Sequence, residues 1–466
     1  MTTTYHSINN QDITSLKQIV GEANVLTQEL DAYAKDYTED LKLMPELVLL
    51  PQCVAQVSSI MRYCHQHRIA ITVRGAGTGL SGGALPIFGG IVMSMQKFNR
   101  ILVIDERNMQ VTVEPGVINE VLQQAVSEKG LFYPPDPASK GSCFLGGNVA
   151  HASGGPRALK YGTTRDYVLN LEVVLPTGEV ISTGANTLKY STGYNLTHLM
   201  IGSEGTLGVI TKIVLKLIAH PKHTMLMLAP FQSPEKACEA VNKIFLAGCN
   251  PSACEFIEPD GFRLSSAMLN ISFNISQHTQ AYLLIEVDGN DTHQMMKECE
   301  DISNVLMQHG SEDILFAESA DEKEYFWKLR RSIGEATKYN NLYKEEDTVV
   351  PRAELPILYR GVKEIGAKYG FRTICYGHAG DGNLHVNILK DQLSNTFWEN
   401  EIPKAIKEIF ELCKSLNGTI SGEHGIGLVQ KPFMQIVMPQ LQLNLMKGIK
   451  HVFDPKYILN PGKIFD

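Results

Sequence analysis

The chain has 466 residues, 42 Lys+Arg against 50 Asp+Glu, a formal charge of −8, and 44% hydrophobic residues. This balance excludes a disordered or fibrous chain. The acidity and the lack of Lys/Arg clusters argue against a nucleic-acid binder, which must concentrate positive charge against phosphates.

The opening MTTTYHSINNQDITSLKQIV lacks the basic start and apolar core of a secretory signal, and no stretch approaches the ~18 apolar residues of a membrane span. A soluble, unprocessed, cytoplasmic protein is expected, with any membrane association peripheral, at the inner membrane. Nine scattered cysteines without Cys-x-x-Cys spacing read as reduced thiols, mostly core, and not as an iron–sulfur or zinc set. Residues 1–45 read as a polar, helical lead. ELVLLP, a helix from about Ser58 to His67 and the strand IAITVRG form a βαβ opening to a domain at 46–217. Short β-branched strands follow (GGIVMSM, ILVID, VTVEPG, NLEVVLP, GVITKIVLKL). In the last, Val209, Thr211, Ile213, Leu215 and Leu217 share one face while Lys212 and Lys216 take the other. At AHPKHT the glycines thin out, and helix, strand and helix alternate over 218–415, predicting an antiparallel sheet with helices on one face. The tail 416–466 regains glycine (NGTISGEHGIG, ILNPGKIFD) and is expected to return to the first domain.

The first chemical signal is Val73-Arg74-Gly75-Ala76-Gly77-Thr78-Gly79-Leu80-Ser81-Gly82-Gly83, directly after a strand. Consecutive amides on glycine-rich backbone form an anion nest that a diphosphate can approach without a Cβ in the way. Gly77-x-Gly79-x-x-Gly82 matches the dinucleotide fingerprint, but that motif needs a helix next, and ALPIFGGIVMSM, with Pro86 and Gly89-Gly90, predicts another strand. A nicotinamide-type site is therefore disfavoured. Two further glycine-rich segments, GGNVAHASGG and GSEGTLG, are read as loops, and three such loops suit a long cofactor.

RGAGTGLSGGALP, PPDPASKGSCFLGGNVAHASGGPRALKYGTTRDYV, GSEGTLGVIT, YGHAGDGNLHVN, SGEHGIG and ILNPGKIF occur in that order. Together they resemble the flavoproteins with the vanillyl-alcohol-oxidase, or PCMH-type, FAD fold, in the branch of D-lactate dehydrogenases, the glycolate oxidase flavin subunit and D-2-hydroxyglutarate dehydrogenases. The resemblance implies an α+β architecture, with a two-subdomain FAD module and a ferredoxin-like antiparallel-sheet cap carrying much of the substrate site. By motif match, the FAD positions are Arg74, Gly75, Ala76, Gly77, Thr78, Gly79, Ser81, Gly82, Pro135, Gly146, Gly147, Asn148, Ser153, Gly154, Glu204, Gly208, Ile210 and Asn460. Some members bind flavin covalently through His or Cys. The first loop has no His, Cys143 is not clearly placed to do so, and noncovalent FAD is expected.

His378 and His385 lie on a turn and the strand after it, where Leu384, Val386 and Ile388 take one face and His385 and Asn387 the other. Glu423 and His424 sit between glycines. Pattern alone leaves open both a two-His, one-carboxylate metal site and hydrogen-bonded structural histidines. The resemblance implies that His378, His385 and Glu423 hold a divalent metal, zinc or manganese, and that His424 is the catalytic base. It likewise makes Arg330 the substrate-carboxylate clamp, a guanidinium being able to make two parallel bonds to a carboxylate. Arg331, turned about 100° away, is expected in solvent. Tyr376 and Lys344 are further pocket candidates.

Glu345 falls where hydroxyglutarate-type relatives carry a lysine, and Gly334 where they carry a hydroxyl residue. A second substrate carboxylate would be repelled by Glu345, which favours D-lactate, glycolate or a similar short acid. The alternatives are a D-2-hydroxyglutarate dehydrogenase, a non-redox FAD-dependent transferase of the alkyl-dihydroxyacetone-phosphate synthase type and a non-catalytic flavin subunit. The electron acceptor would be separate: a quinone, a cytochrome, an electron-transferring flavoprotein or an iron–sulfur subunit. A homodimer is expected.

Overall fold

The computed structural model describes residues 4–38 and 41–465, so residues 1–3 and 39–40 of the predicted lead lie outside the described residues. The chain forms two compact units. One comprises Met1–Gly154, Gly162–His220 and Glu423–Asp466, the other Gly155–Tyr161 and Pro221–Gly422.

In the first unit, strands Leu47–Leu49 and Ile71–Arg74 both run parallel to Ile91–Ser94, which lies between them. The helix Val54–His67 that links the first two buries Val57, Ile60, Met61 and Cys64, the i, i+3, i+4, i+7 stripe of a core-facing helix. The lead is only partly helical. Asn9 and Asp12 form a capping box for helix Asn10–Val20, after which Val25–Leu26 joins the sheet against Leu47–Leu49. Its polar composition hides Leu16 and Val20, which sit in the same core as Ile60, Ile71 and Ile91. No helix interrupts residues 75–90, in keeping with the between-strand loop predicted there.

A five-stranded antiparallel sheet follows, ordered Ile101–Asp105, Gln110–Val113, Val209–Lys216, Val168–Val174, Val180–Ser182. The second glycine-rich segment is not a loop but the helix Leu145–His151. Leu145 and Val149, one turn apart, are buried, and a Cβ on Gly146 would lie 2.5 Å from Pro115 Cβ. This glycine serves a close helix approach rather than a turn.

The second unit is built on a seven-stranded sheet whose pairings are all antiparallel. Its order is Leu315–Ala317, His223–Phe231, Ala281–Gly289, Ala253–Ile257, Arg372–Gly377, Asn383–Leu389, Tyr343–Val349. Helices lie on both faces, not on one as expected. Phe262, Trp327, Leu329 and Ile333, from three helices, share a core with Leu284, Tyr282, Ile257 and Tyr376 of one face. Helices Pro234–Leu246, Thr292–Gln308 and Leu355–Tyr369 also pack on the sheet. Cross-strand register places Glu255, Glu286, Tyr376, His385, Asn387, Glu345 and Asp347 on the face that carries Leu284. Leu283, Ile285, Phe256, Cys375, Leu384, Val386 and Ile388 fill the other. The Leu284 face thus carries both that helix-covered core and the buried polar cluster.

Candidate active site

In the first unit, the strand Ile71–Arg74 delivers the chain into the glycine loop. Gly77 has φ of +75°, and a Cβ there would fall on the Arg74 guanidinium, which folds back across the loop, donates to Ala32 O (3.1 Å) and lies 5.9 Å over the Tyr33 ring. Gly75 faces the start of helix Leu145–His151, a Cβ on it coming within 3.9 Å of Gly147 Cα. The glycine loop thus meets the helix start at Gly75 and Gly147. Arg74 Nη1 and Asn148 Nδ2 are buried without a hydrogen-bond partner among the described residues, and a Cβ on Gly147 would meet nothing within 4 Å. Buried unpaired donors beside bare backbone fit an anionic cofactor such as FAD.

The remaining predicted cofactor positions lie in the same unit. Pro135 O accepts from Asn119 Nδ2 and Gln123 Nε2, and Ser153 O from Thr164. Gly208 packs on Val173, with Ile210 paired in register to the same residue. Asn460 accepts from Val73 N (2.9 Å) and donates to Glu204 O (2.7 Å), fastening the C-terminal segment to the strand Ile71–Arg74. Glu204, buried at φ +51°, accepts Ile426 N and Gly427 N on its two oxygens, each at 2.7 Å. His424 O accepts from Ser81 Oγ (3.1 Å) and lies 3.0 Å from His151 Nδ1. The candidate base therefore rides on a loop held by the FAD-motif residues Ser81 and Glu204. A Cβ on Gly154 would lie 2.8 Å from Glu423 Oε2. Cys143 is buried, and burial pushes its thiol up, which suppresses the thiolate needed for covalent flavin attachment.

The second unit brings Arg330, His378 and His385 together around residues that the sequence reading missed. Glu255, fully buried, sits 2.8 and 3.0 Å from His378 Nδ1 through its two oxygens and 2.5 Å from Arg330 Nη2. Desolvation drives its carboxyl upward, but the His378 and Arg330 charges outweigh that and hold it below the ordinary value. The Arg330 guanidinium lies 4.8 Å over the Tyr376 ring, and its buried Nε has no hydrogen-bond partner among the described residues. Asn387 is fully buried with both amide atoms likewise without one. The His378 and His385 ring centroids are 5.3 Å apart, and Asp347 Oδ1 is 3.6 Å from His385 Nδ1. Asp347 also accepts from Ser421 Oγ (3.0 Å) and Gly422 N (2.7 Å).

Two secondary expectations are corrected. Lys344 alternates with Glu345, so it points to the opposite face, 6.0 Å from the Trp398 ring, and leaves the pocket. Arg331 is half-buried 4.8 Å over the Trp327 ring rather than solvated. Glu345 stays on the site face, 3.4 Å from Tyr376 Oη, and a Cβ on Gly334 would come 3.0 Å from that hydroxyl. The available signal for Glu255 was a lone acid inside the buried run Ala253–Ile257.

Residues 45–184 match the FAD binding domain family, and residues 220–464 match the C-terminal domain of FAD linked oxidases, more than half the chain. The chain belongs to the FAD-linked oxidase family. Relatives include the glycolate oxidase subunit GlcD of Bacillus subtilis, 38% identical over 93% of this chain and 92% of that protein. A D-lactate dehydrogenase of Archaeoglobus fulgidus is 36% identical (93% and 95%), and a D-2-hydroxyglutarate dehydrogenase of Stutzerimonas stutzeri is 32% identical (97% and 98%). This FAD-linked oxidase is accordingly an oxidoreductase of that branch. The solved structures of p-cresol methylhydroxylase (TM-score 0.81, 18% identity, 98% of this chain and 97% of that one) and alkyldihydroxyacetonephosphate synthase (0.77, 19%, 98% and 85%) share its fold, which is the PCMH-type architecture expected. Identity at that level speaks for fold alone. Among the described residues no helix is long and apolar enough to cross a membrane.

Proposed function

We propose that this FAD-linked oxidase dehydrogenates a short D-2-hydroxy acid, D-lactate or glycolate in kind, to the 2-oxo acid, assisted by a divalent metal on His378, His385 and Glu423. The observation that carries the reading is the buried, incompletely satisfied polar face: Arg330 Nε and both amide atoms of Asn387 want partners that a small carboxylate with an adjacent hydroxyl would supply. The donor set suits the metal. With Nδ1 of His378 directed at Glu255, Nε2 is the lone-pair nitrogen, and a second imidazole and a carboxylate complete a borderline-metal set.

FAD, noncovalently bound, would supply the hydride acceptor, and zinc or manganese the polarisation of hydroxyl and carboxylate. The chain does the rest. Arg330 pairs with the substrate carboxylate, its plane fixed by Tyr376 beneath and Glu255 beside it. An imidazole nitrogen of His424 takes the hydroxyl proton as the C2–H bond breaks, a role typically contributing about 10²–10⁴ in rate. Glu345 sits on the same sheet face and repels a second carboxylate, selecting monocarboxylates. The electrons then leave to a separate acceptor.

The test is an anaerobic flavin spectrum before and after D-lactate, L-lactate, glycolate and D-2-hydroxyglutarate, repeated after EDTA and metal restoration. Bleaching by a short D-acid, lost on chelation and regained with Zn²⁺ or Mn²⁺, is expected. A kcat/KM for D-2-hydroxyglutarate at least tenfold above that for D-lactate would overturn the monocarboxylate reading. A flavin untouched by every acid would move the protein to the non-redox transferases.

A further inference from the structure

We propose that Glu255 is a positioning residue that ties the substrate clamp to the metal-ligating edge of the site by holding Arg330 and His378 on one carboxylate. The inference rests on the functional reading above and adds a coupling that neither the motifs nor the relatives' names express.

Glu255 occupies the middle of the strand Ala253–Ile257, every residue of which is buried. A charge there needs compensation, and the structure provides it from two sides: His378 Nδ1 at 2.8 Å and Arg330 Nη2 at 2.5 Å. Each contact has a geometric consequence. Accepting the Nδ1 proton sets the tautomer of His378 and presents Nε2 as the ligating nitrogen, the arrangement by which outer carboxylates fix metal-bound histidines. Pairing with Nη2 pins one edge of the Arg330 fork while the Tyr376 ring, 4.8 Å away, fixes its plane, so that Nε keeps one direction. A neutral side chain could hydrogen-bond one partner but could not balance the guanidinium and fix the imidazole together. The clamp and the ligand therefore cannot be loosened separately through this residue.

A plain core ion pair would give stability and nothing else, so metal affinity separates the two roles. The FAD-loaded full chain and the variants Glu255→Gln and Glu255→Asp are titrated with Zn²⁺ against a chromophoric chelator, with flavin absorbance and thermal melting followed in parallel. Glu255→Gln is expected to bind Zn²⁺ about 10–100-fold more weakly and to show a raised KM at saturating Zn²⁺, with kcat changed far less. Glu255→Asp, which keeps the charge but is one methylene short, is expected in between. Folded Glu255→Gln with the Zn²⁺ affinity of the unaltered protein overturns the inference. If Glu255→Gln does not fold, Glu255→Asp decides: unchanged Zn²⁺ affinity and KM overturn it, and a loss in both supports it. Failure of the functional reading looks different, because the unaltered protein itself then takes up no stoichiometric Zn²⁺.

Discussion

Replacing Arg330 separates charge from shape. Arg330→Lys keeps a positive charge but loses the planar fork, whereas Arg330→Met removes both. A hydrogen bond to a charged group contributes about 1.5–3 kcal/mol, and about 1.4 kcal/mol is one decade in affinity. Loss of one bond to the substrate carboxylate therefore raises KM about 10–150-fold. The lysine variant belongs near the lower end and the methionine variant at or beyond the upper. Stability responds separately. Breaking a buried pair costs about 3–5 kcal/mol, but Glu255 keeps His378 Nδ1 at 2.8 Å, so the lower figure applies. Because the folded Glu255 carboxyl is held below its ordinary value, the stabilisation it shares with Arg330 is full above the unfolded carboxyl range and is lost as pH falls through the folded value. Arg330→Met should flatten that acid limb. The assays are stopped-flow anaerobic flavin reduction against D-lactate concentration, and urea unfolding from neutral pH downward. A folded, flavin-loaded Arg330→Met with KM within twofold of the unaltered enzyme would refute the clamp assignment.

Neighbouring glycines should fail differently. Gly146→Ala forces a Cβ to within 2.5 Å of Pro115, overpacking that costs about 1–3 kcal/mol, whereas Gly147→Ala meets nothing within 4 Å and should melt normally as apoprotein while losing FAD. Equal melting of the two apoproteins would contradict this. Lys463, 2% exposed, has its amine lowered by burial from 10.5 to about 8. The unfolded chain therefore binds the extra proton between those values, and stability relative to Lys463→Met should rise with pH from about 8 to 10.5. The rise is on the order of 3 kcal/mol, from 2.5 units at about 1.36 each. Parallel curves for the two proteins in pH-dependent urea melts would exclude it. Glu345→Lys places a cation on the site face and should shift the kcat/KM ratio of D-2-hydroxyglutarate to D-lactate upward by about tenfold or more, the worth of one charge-assisted bond. An unchanged ratio would remove Glu345 from substrate selection.

Legibility in the sequence followed the range of the forces involved. The loop at residues 75–90 was readable because Pro86 and Gly89-Gly90 deny a helix locally. The helix Leu145–His151 was not, since its two consecutive glycines argue against helix by propensity, while Gly146 packs on Pro115, 31 positions earlier. Strict alternation decides Lys344: once Glu345 is opposite Asn387, Lys344 must face the other way. The 100° turn did carry Arg331 away from Arg330, but Trp327, one helical turn back, stood where solvent was expected.

The carboxylates show where such reading stops and what remains to be used. Glu255 and Glu286 each interrupt a buried strand, and nothing within a few residues announces a partner. Glu286 is met by Arg157 at 3.2 Å and by Trp327 Nε1 at 2.9 Å, Glu255 by Arg330 and His378, all distant in sequence. Yet the conflict itself is local and visible: an acid in a strand otherwise fit for the core violates burial rules unless a cation reaches it. Such violations gather at sites because function retains what packing alone would remove. Each acid is visible in the sequence as such a violation, but only the cross-strand register puts the two on one sheet face. At Glu255 the conflict is met by Arg330 and His378, the proposed clamp and the proposed ligand.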